Sequence, residues 1–215
     1  SIEQNKLDIN NQSQPSHGIA IIYSDGTSST NASSIFNNFI HIFTNTYVYV
    51  AGIEILSSYK NFYYNSVNIT GNNVGSIAFN EIMASYINIF NNIFSNPAKG
   101  IALTLNDTSK IFCDNNDIFS KGIDMISSGP NYYSTLSDWR NASNQDMHSI
   151  SSDPGFYSNT DLHVNNIMLS KKGKAISGII YDIDGNKRKS PKSDIGADEF
   201  NYKMDMGPDR YVCAG

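Results

Sequence analysis

The sequence predicts an all-β chain wound as a parallel β-helix, about 24 residues to the coil, with a C-terminal cap closing the stack. Two repeat frames and a composition bias carry that reading. Asn38, Asn65, Asn92 and Asn116 sit in matching surroundings, "IFNNFIHI", "FYYNSVNI", "IFNNIFSN" and "FCDNNDIFS", with their positions advancing by 27, 27 and then 24. A second frame runs through "HGIAI", "AGIEI", "GSIAF", "KGIAL" and "KGIDM", with Ile53, Ile77, Ile101 and Ile123 advancing by 24, 24 and then 22. Only 16% of the 215 residues are charged. Asn and Ser take over the polar role beside Ile, Phe and Tyr, which favours strands and turns over helices. A leucine-rich repeat would place Leu at these positions, and helical repeats run longer, so stacked coils of short strands fit the period best.

Within a coil, apolar residues alternate with polar ones as half-buried strands require, and the inward residues form Ile and Phe columns. The asparagines mark the corners. A sharp corner forces a residue out of the β region, and Asn tolerates left-handed backbone better than any residue but Gly. An inward-turned Asn can also bond the equivalent amide one coil away, so Asn38, Asn65, Asn92 and Asn116 are expected to form a buried ladder. The longer step from Ile19 to Ile53 leaves room for a protruding loop at "SDGTSSTNAS". Coils are expected from about His17 to about Met125, within a β-helix portion of residues 1–140.

The chain then changes character. Residues 171–199 carry twelve charged side chains, against six across residues 61–118. Here "NYYSTLSDWRNASNQDMHSISSDPGF" (131–156), "DLHV" (161–164) and "YDIDGNKRKSPKSDIGADEF" (181–200) follow one another. Together they resemble the C-terminal end of secreted bacterial right-handed parallel β-helix proteins, pectin-lyase-like and of the choice-of-anchor Q type found in Bacteroidetes. Trp139, Gln145, Asp146, Ser149, Ile150, Asp153, Pro154, Phe156, Asp161, Leu162 and His163 carry the match. So do Asp182–Asn186, Arg188, Asp194–Ala197 and Glu199, while "SKKGKAISG" (170–178) departs from it. The resemblance implies a right-handed coil, a cap over residues 141–202 anchored by Trp139, Phe156 and Leu162, and export. "MDMGPDRYVCAG" (204–215) resembles the start of the immunoglobulin-like modules that follow such domains. Residues 203–215 are therefore expected to be a linker and the beginning of a truncated module, in a longer polypeptide of the kind that type IX secretion delivers. On that reading Cys113 is a buried structural thiol and Cys213 lacks its partner; the start at Ser1 reads as a mature protein or an excised fragment.

The chemistry is sparse. A net charge of −5 gives no electrostatic footprint for nucleic acid. The uncharged run 61–80 is too rich in Asn, Ser and Gly to span a bilayer. Lyases and glycosidases of this fold would need facing carboxylates, but Glu54 and Asp124 share a phase about three coils, roughly 14 Å, apart. Lys99 and Lys121 stack on adjacent coils as candidate ligand contacts. "DIDGN" (182–186) resembles a calcium loop only superficially and reads as a tight turn, and the four histidines lack metal-ligand spacing. No cofactor and no metal are expected. Tyr47, Tyr49, Tyr59 and Tyr63 are candidates for an exposed shelf that stacks on sugar rings. The expected function is a secreted or cell-surface adhesin-like segment that binds a glycan or surface polymer without catalysis. The alternative is a polysaccharide lyase or glycoside hydrolase whose catalytic coils lie partly outside this chain, and a third class is a structural spacer.

Overall fold

A computed structural model describes residues 1–11 and 13–200; the expected linker and module at 203–215, with Cys213, lie outside the described residues. Five strand triplets follow one another: β1 (Ile2–Glu3), β2 (Lys6–Asn11) and β3 (Ser16–Ile22); β4 (Ser33–Phe36), β5 (Phe39–Thr44) and β6 (Val50–Leu56); β7 (Lys60–Tyr63), β8 (Ser66–Gly71) and β9 (Ser76–Glu81); β10 (Ile87–Phe90), β11 (Ile93–Asn96) and β12 (Ile101–Leu105); β13 (Ile111–Asp114), β14 (Asp117–Ser120) and β15 (Ile126–Ser128). Each strand pairs in parallel with its counterpart in the next coil, giving three sheets: A (β1, β4, β7, β10, β13), B (β2, β5, β8, β11, β14) and C (β3, β6, β9, β12, β15). This is a three-sheet parallel β-solenoid, as the sequence predicts. Stacked partners Ile35, Phe62 and Ile89 follow one another at the same step of 27 as the asparagines of those coils, so the central coils are longer than expected. The stack also begins earlier than His17, at Ile2.

The core is a set of aligned apolar columns. Ile35, Phe62, Ile89 and Cys113 stack in sheet A, and Ile40 and Val67 in sheet B, all buried. In sheet C, Ile53 stacks on Phe79, then Leu103, then Ile126. The "GI" frame therefore slips: Ile53 does not stack on Ile77, and Ile123 is 90% exposed. Phe79 and Ile126 take the inward places in this column.

Sheets A and B meet at a corner of two residues, made five times. The first residue, Gln4, Asn37, Tyr64, Asn91 or Asn115, has φ between 53° and 62°. The second, Asn5, Asn38, Asn65, Asn92 or Asn116, turns inward. The expected ladder is present, but its members are not the left-handed residues; the two tasks fall to neighbouring positions. Asn65 Oδ1 accepts both the backbone N–H of Asn38 (3.3 Å) and its Nδ2 (2.8 Å). Asn92 does the same for Asn65 (3.0 and 2.9 Å), and Asn116 for Asn92 (2.9 and 3.1 Å). Each amide also donates to a strand carbonyl: Asn65 to Ile35, Asn92 to Phe62, Asn116 to Ile89. Every rung from Asn38 to Asn116 is buried and satisfied.

The ladder ends in a purpose-made terminus. Asn116 donates its backbone N–H to Ser149 Oγ (2.8 Å) and its Nδ2 to Asp146 Oδ1 (3.3 Å). Trp139, on helix α1 (Leu136–Ser143), fixes Asp146 by an indole bond of 2.8 Å. Gln145 completes the edge of β13 with its side chain, accepting from Cys113 N–H and donating to Ile111 O. β16 (Asn131–Tyr133) covers β15 antiparallel. Trp139 is buried in the main core and Leu162 in a cluster with Phe39, Ile183 and Ala197, with Phe156 half-buried beside it. The contacts of the segment assigned to the cap extend well past the final coil. Residues 172–200 run as a strap along the A–B corner: Lys172 meets Asn115, Lys174 meets Asn91 and Tyr64, Tyr181 meets Asn37 and Asp182 meets Gln4. Arg188 is buried over the Tyr64 ring (3.7 Å) and donates to Asn37 Oδ1 (2.8 Å). Gly196, at φ +99°, lies where a Cβ would meet Ile93 Cδ1 at 2.5 Å, so only glycine lets the strap approach β11.

Neighbouring asparagines should thus fail differently. Asn91→Gly keeps the left-handed backbone and loses two bonds to Lys174, costing about 1–2 kcal/mol. Asn92→Gly orphans buried groups on both adjacent coils, at about 1–3 kcal/mol each, and should cost clearly more. Urea denaturation of both variants is the check; equal losses would contradict the division of tasks.

Candidate functional site

The outward face of sheet A carries two columns. One comes from the strand position just before each corner: Phe36, Tyr63 and Phe90 stack in register, with Glu3 and Asp114 at the two ends. Tyr63 and Phe90 have ring centroids 6.2 Å apart, and Lys174 Nζ lies over Phe90 at 3.6 Å. Burial pushes the Tyr63 phenol pKa up, so the hydroxyl stays neutral. The second column, two residues earlier in each strand, is Ser34, Asn61 and Asn88. Asn88 Nδ2 donates to Asn61 Oδ1 (2.8 Å) and Asn61 Nδ2 to Ser34 Oγ (3.4 Å). The strap segment Ala175–Ile179 forms the opposite wall of a groove of about 680 Å³ over this face. Aromatic faces beside fixed amide groups form a surface that can stack on sugar rings and bond their hydroxyls.

The four candidate tyrosines do not form one shelf. Tyr63 lies in this groove. Tyr59 occupies the corner leading into β7, left-handed at φ +58° and stacked on Tyr86 at 4.8 Å with planes 3° apart. Tyr47 is 81% exposed in the turn before β6. Tyr49 bonds the Glu54 carboxylate and accepts from Asn80 Nδ2 (2.7 Å), while His17 Nε2 lies 3.1 Å from Glu54. Lys99 and Lys121 do come together, lining a separate groove of about 460 Å³ with Val74, Ile123 and Tyr132. Asn38, Asn65, Asn92 and Asn116 are interior and structural. Cys113 is buried, and desolvation raises its thiol pKa well above the ordinary value. Phe36, Phe90, Asn61 and Asn88 escape the sequence reading, although "SSIFNN", "KNFYYN" and "INIFNN" place an aromatic before each corner.

One titratable cluster joins the strap to the first two coils. His163 bonds Asp161 through Nδ1 and Asp184 through Nε2 (2.6 Å), and Lys6 Nζ reaches Asp184 (2.9 Å). Ligand atoms of His163, Asp184 and Asp198 lie within 4.8 Å of one another, a spacing a cation could occupy. Lys6 already brings positive charge to Asp184. "DIDGN" is the tight turn expected: Asp182 Oδ1 accepts the N–H groups of Asp184 (2.9 Å) and Asn186 (2.7 Å). Burial opposes protonation of His163, but its bonds with Asp161 and Asp184 outweigh it and raise its pKa above 6.5. The His163 bond holds Asp161 below 3.8; Asp184 is held below it, despite partial burial, by His163 and Lys6.

Among the described residues no helix is long and apolar enough to cross a membrane. Comparison with family models, curated proteins and solved structures finds no match to the chain. The class of protein defined by the fold is a three-sheet parallel β-solenoid with an internal amide ladder and a lateral strap.

The shifts fix a pH dependence for the strap. A raised histidine pKa contributes stability fully present below about pH 6.5 and lost as pH rises through the folded value. The two depressed carboxylates contribute stability present above about pH 3.8 and lost as pH falls. The melting temperature should therefore decline as the pH rises above about 6.5, and His163→Gln should flatten that decline. Parallel curves for the two proteins would show that His163 does not secure the strap.

Proposed function

We propose that this chain is a noncatalytic, glycan-binding segment of a larger secreted or cell-surface adhesin-like protein, with the sheet A face as its binding surface. The column of Phe36, Tyr63 and Phe90 beside Ser34, Asn61 and Asn88 carries the reading. Of these, Phe36 with Ser34 and Tyr63 with Asn61 line the groove on adjacent coils, about 4.8 Å apart, so a linear polymer lying along the axis meets the same kind of ring and polar pair twice. Export, and passage through a secretion machinery, rest on the resemblance of residues 131–200 to secreted β-helix proteins. The amide- and hydroxyl-rich composition suits a surface that works by hydrogen bonding and stacking rather than by charge.

A glycan microarray probed with labelled protein tests the reading. Wild-type protein should give saturable binding to at least one polysaccharide, and Tyr63→Ala should weaken it about tenfold, corresponding to about 1.4 kcal/mol for a lost ring platform. A Tyr47→Ala control, at an exposed residue that does not line the groove, should bind as wild type. Absence of binding to every polysaccharide, or equal binding by Tyr63→Ala, would contradict the proposal.

A further inference from the structure

The charge and hydrogen-bond layout of the sheet A groove narrows its ligand, and this inference rests on the glycan reading above. Of the side chains lining the groove, Glu3 alone is charged; the rest are hydroxyl, amide, aromatic or aliphatic. Glu3 occupies the coil-one end of the aromatic column, and Asp114 occupies its coil-five end. A polymer lying along the column thus meets a carboxylate at each end. Among the described residues Lys174 brings a cation to the column, with its Nζ on the face of Phe90, which is not among the residues lining the groove. His148 Nδ1 lies on Asp114 Oδ2 (2.7 Å) and is highly exposed.

The amide column adds a second selection. Asn88 spends one Nδ2–H on Asn61, and Asn61 spends one on Ser34, so all bonds point toward coil one. Each amide still has a second N–H and remaining lone pairs for a ligand. Such a row offers donors and acceptors together. A sugar hydroxyl, which both donates and accepts, satisfies both; an ionised carboxylate or sulfate group only accepts, so it pairs with the donors alone. The strap wall, Ala175, Ile176, Ser177, Gly178 and Ile179, supplies no cation either.

We infer that the sheet A groove takes a neutral polysaccharide, lying parallel to the solenoid axis, and excludes uronate and sulfated polymers. The test is affinity gel electrophoresis of the full chain in gels containing hydroxyethyl cellulose, xyloglucan, galactomannan, polygalacturonate or alginate. At least one neutral polymer should retard the protein, with the retardation lost in Tyr63→Ala, while polygalacturonate and alginate should not. Glu3→Lys, an exposed change that leaves the core untouched, should admit the anionic polymers. Retardation by the uronates as strong as by the neutral polymers, and abolished by Tyr63→Ala, would overturn the selectivity while leaving the glycan reading intact. Retardation by a neutral polymer that survives Tyr63→Ala in a variant with wild-type melting would place the ligand elsewhere and overturn it as well. Retardation by no polymer of either kind would overturn both.

Discussion

The structure depends on the buried amide ladder at the A–B corner. Placing a polar column in an apolar core is costly unless every donor and acceptor is paired. Here each Oδ1 accepts twice from the rung before it, and each Nδ2 bonds both the next rung and a strand carbonyl, as in Asn92 with Asn116 and Phe62. Amides can satisfy this pattern only if successive coils stack in one register. The ladder therefore fixes the register in which Ile35, Phe62 and Ile89 form a column, and apolar burial supplies the larger stabilisation.

The residue before each rung has a different duty. Its positive φ turns the chain and directs its side chain outward, where the strap is waiting. Asn91 both donates to and accepts from the backbone of Lys174, and Asn37 takes Tyr181 O and Arg188. At the third coil Tyr64 replaces the amide, and its hydroxyl reaches Lys174 O (2.7 Å) and Ser193 (2.9 Å). The strap in turn walls the sheet A groove through Ala175–Ile179. Ladder, corner, strap and groove form one sequence of dependence.

The fold is legible in the sequence because its period is written twice and because a buried Asn has few structural explanations. The ladder positions are legible for the same reason. The doublet is only half legible: "NN" at 91–92 looks like two copies of one residue, and nothing local says that one turns the chain and the other bonds the next coil. The path of residues 172–200 is hidden because its partners, such as Arg188 with Asn37 and Asp182 with Gln4, lie more than 150 positions apart in sequence. The tyrosines mislead for a local reason. Clustering along the chain at 59–64 puts Tyr59 at a corner, Tyr63 on the open face of sheet A and Tyr64 outward beneath the strap, because neighbouring residues point in different directions. The groove needs the register of sheet A, which brings together side chains such as Ser34 and Asn61 from successive coils.

Native-state hydrogen exchange at the backbone amides of Asn38, Asn65 and Asn92 tests the ladder most directly. Each of these N–H groups is bonded to the side chain of the following rung. If the ladder holds the coils in register, these amides open only when the domain unfolds, and their exchange free energies should match the global stability and fall with denaturant at the same slope. Exchange as fast as in exposed turns, with no dependence on denaturant, would mean that the corners open locally and that the ladder does not hold the solenoid together.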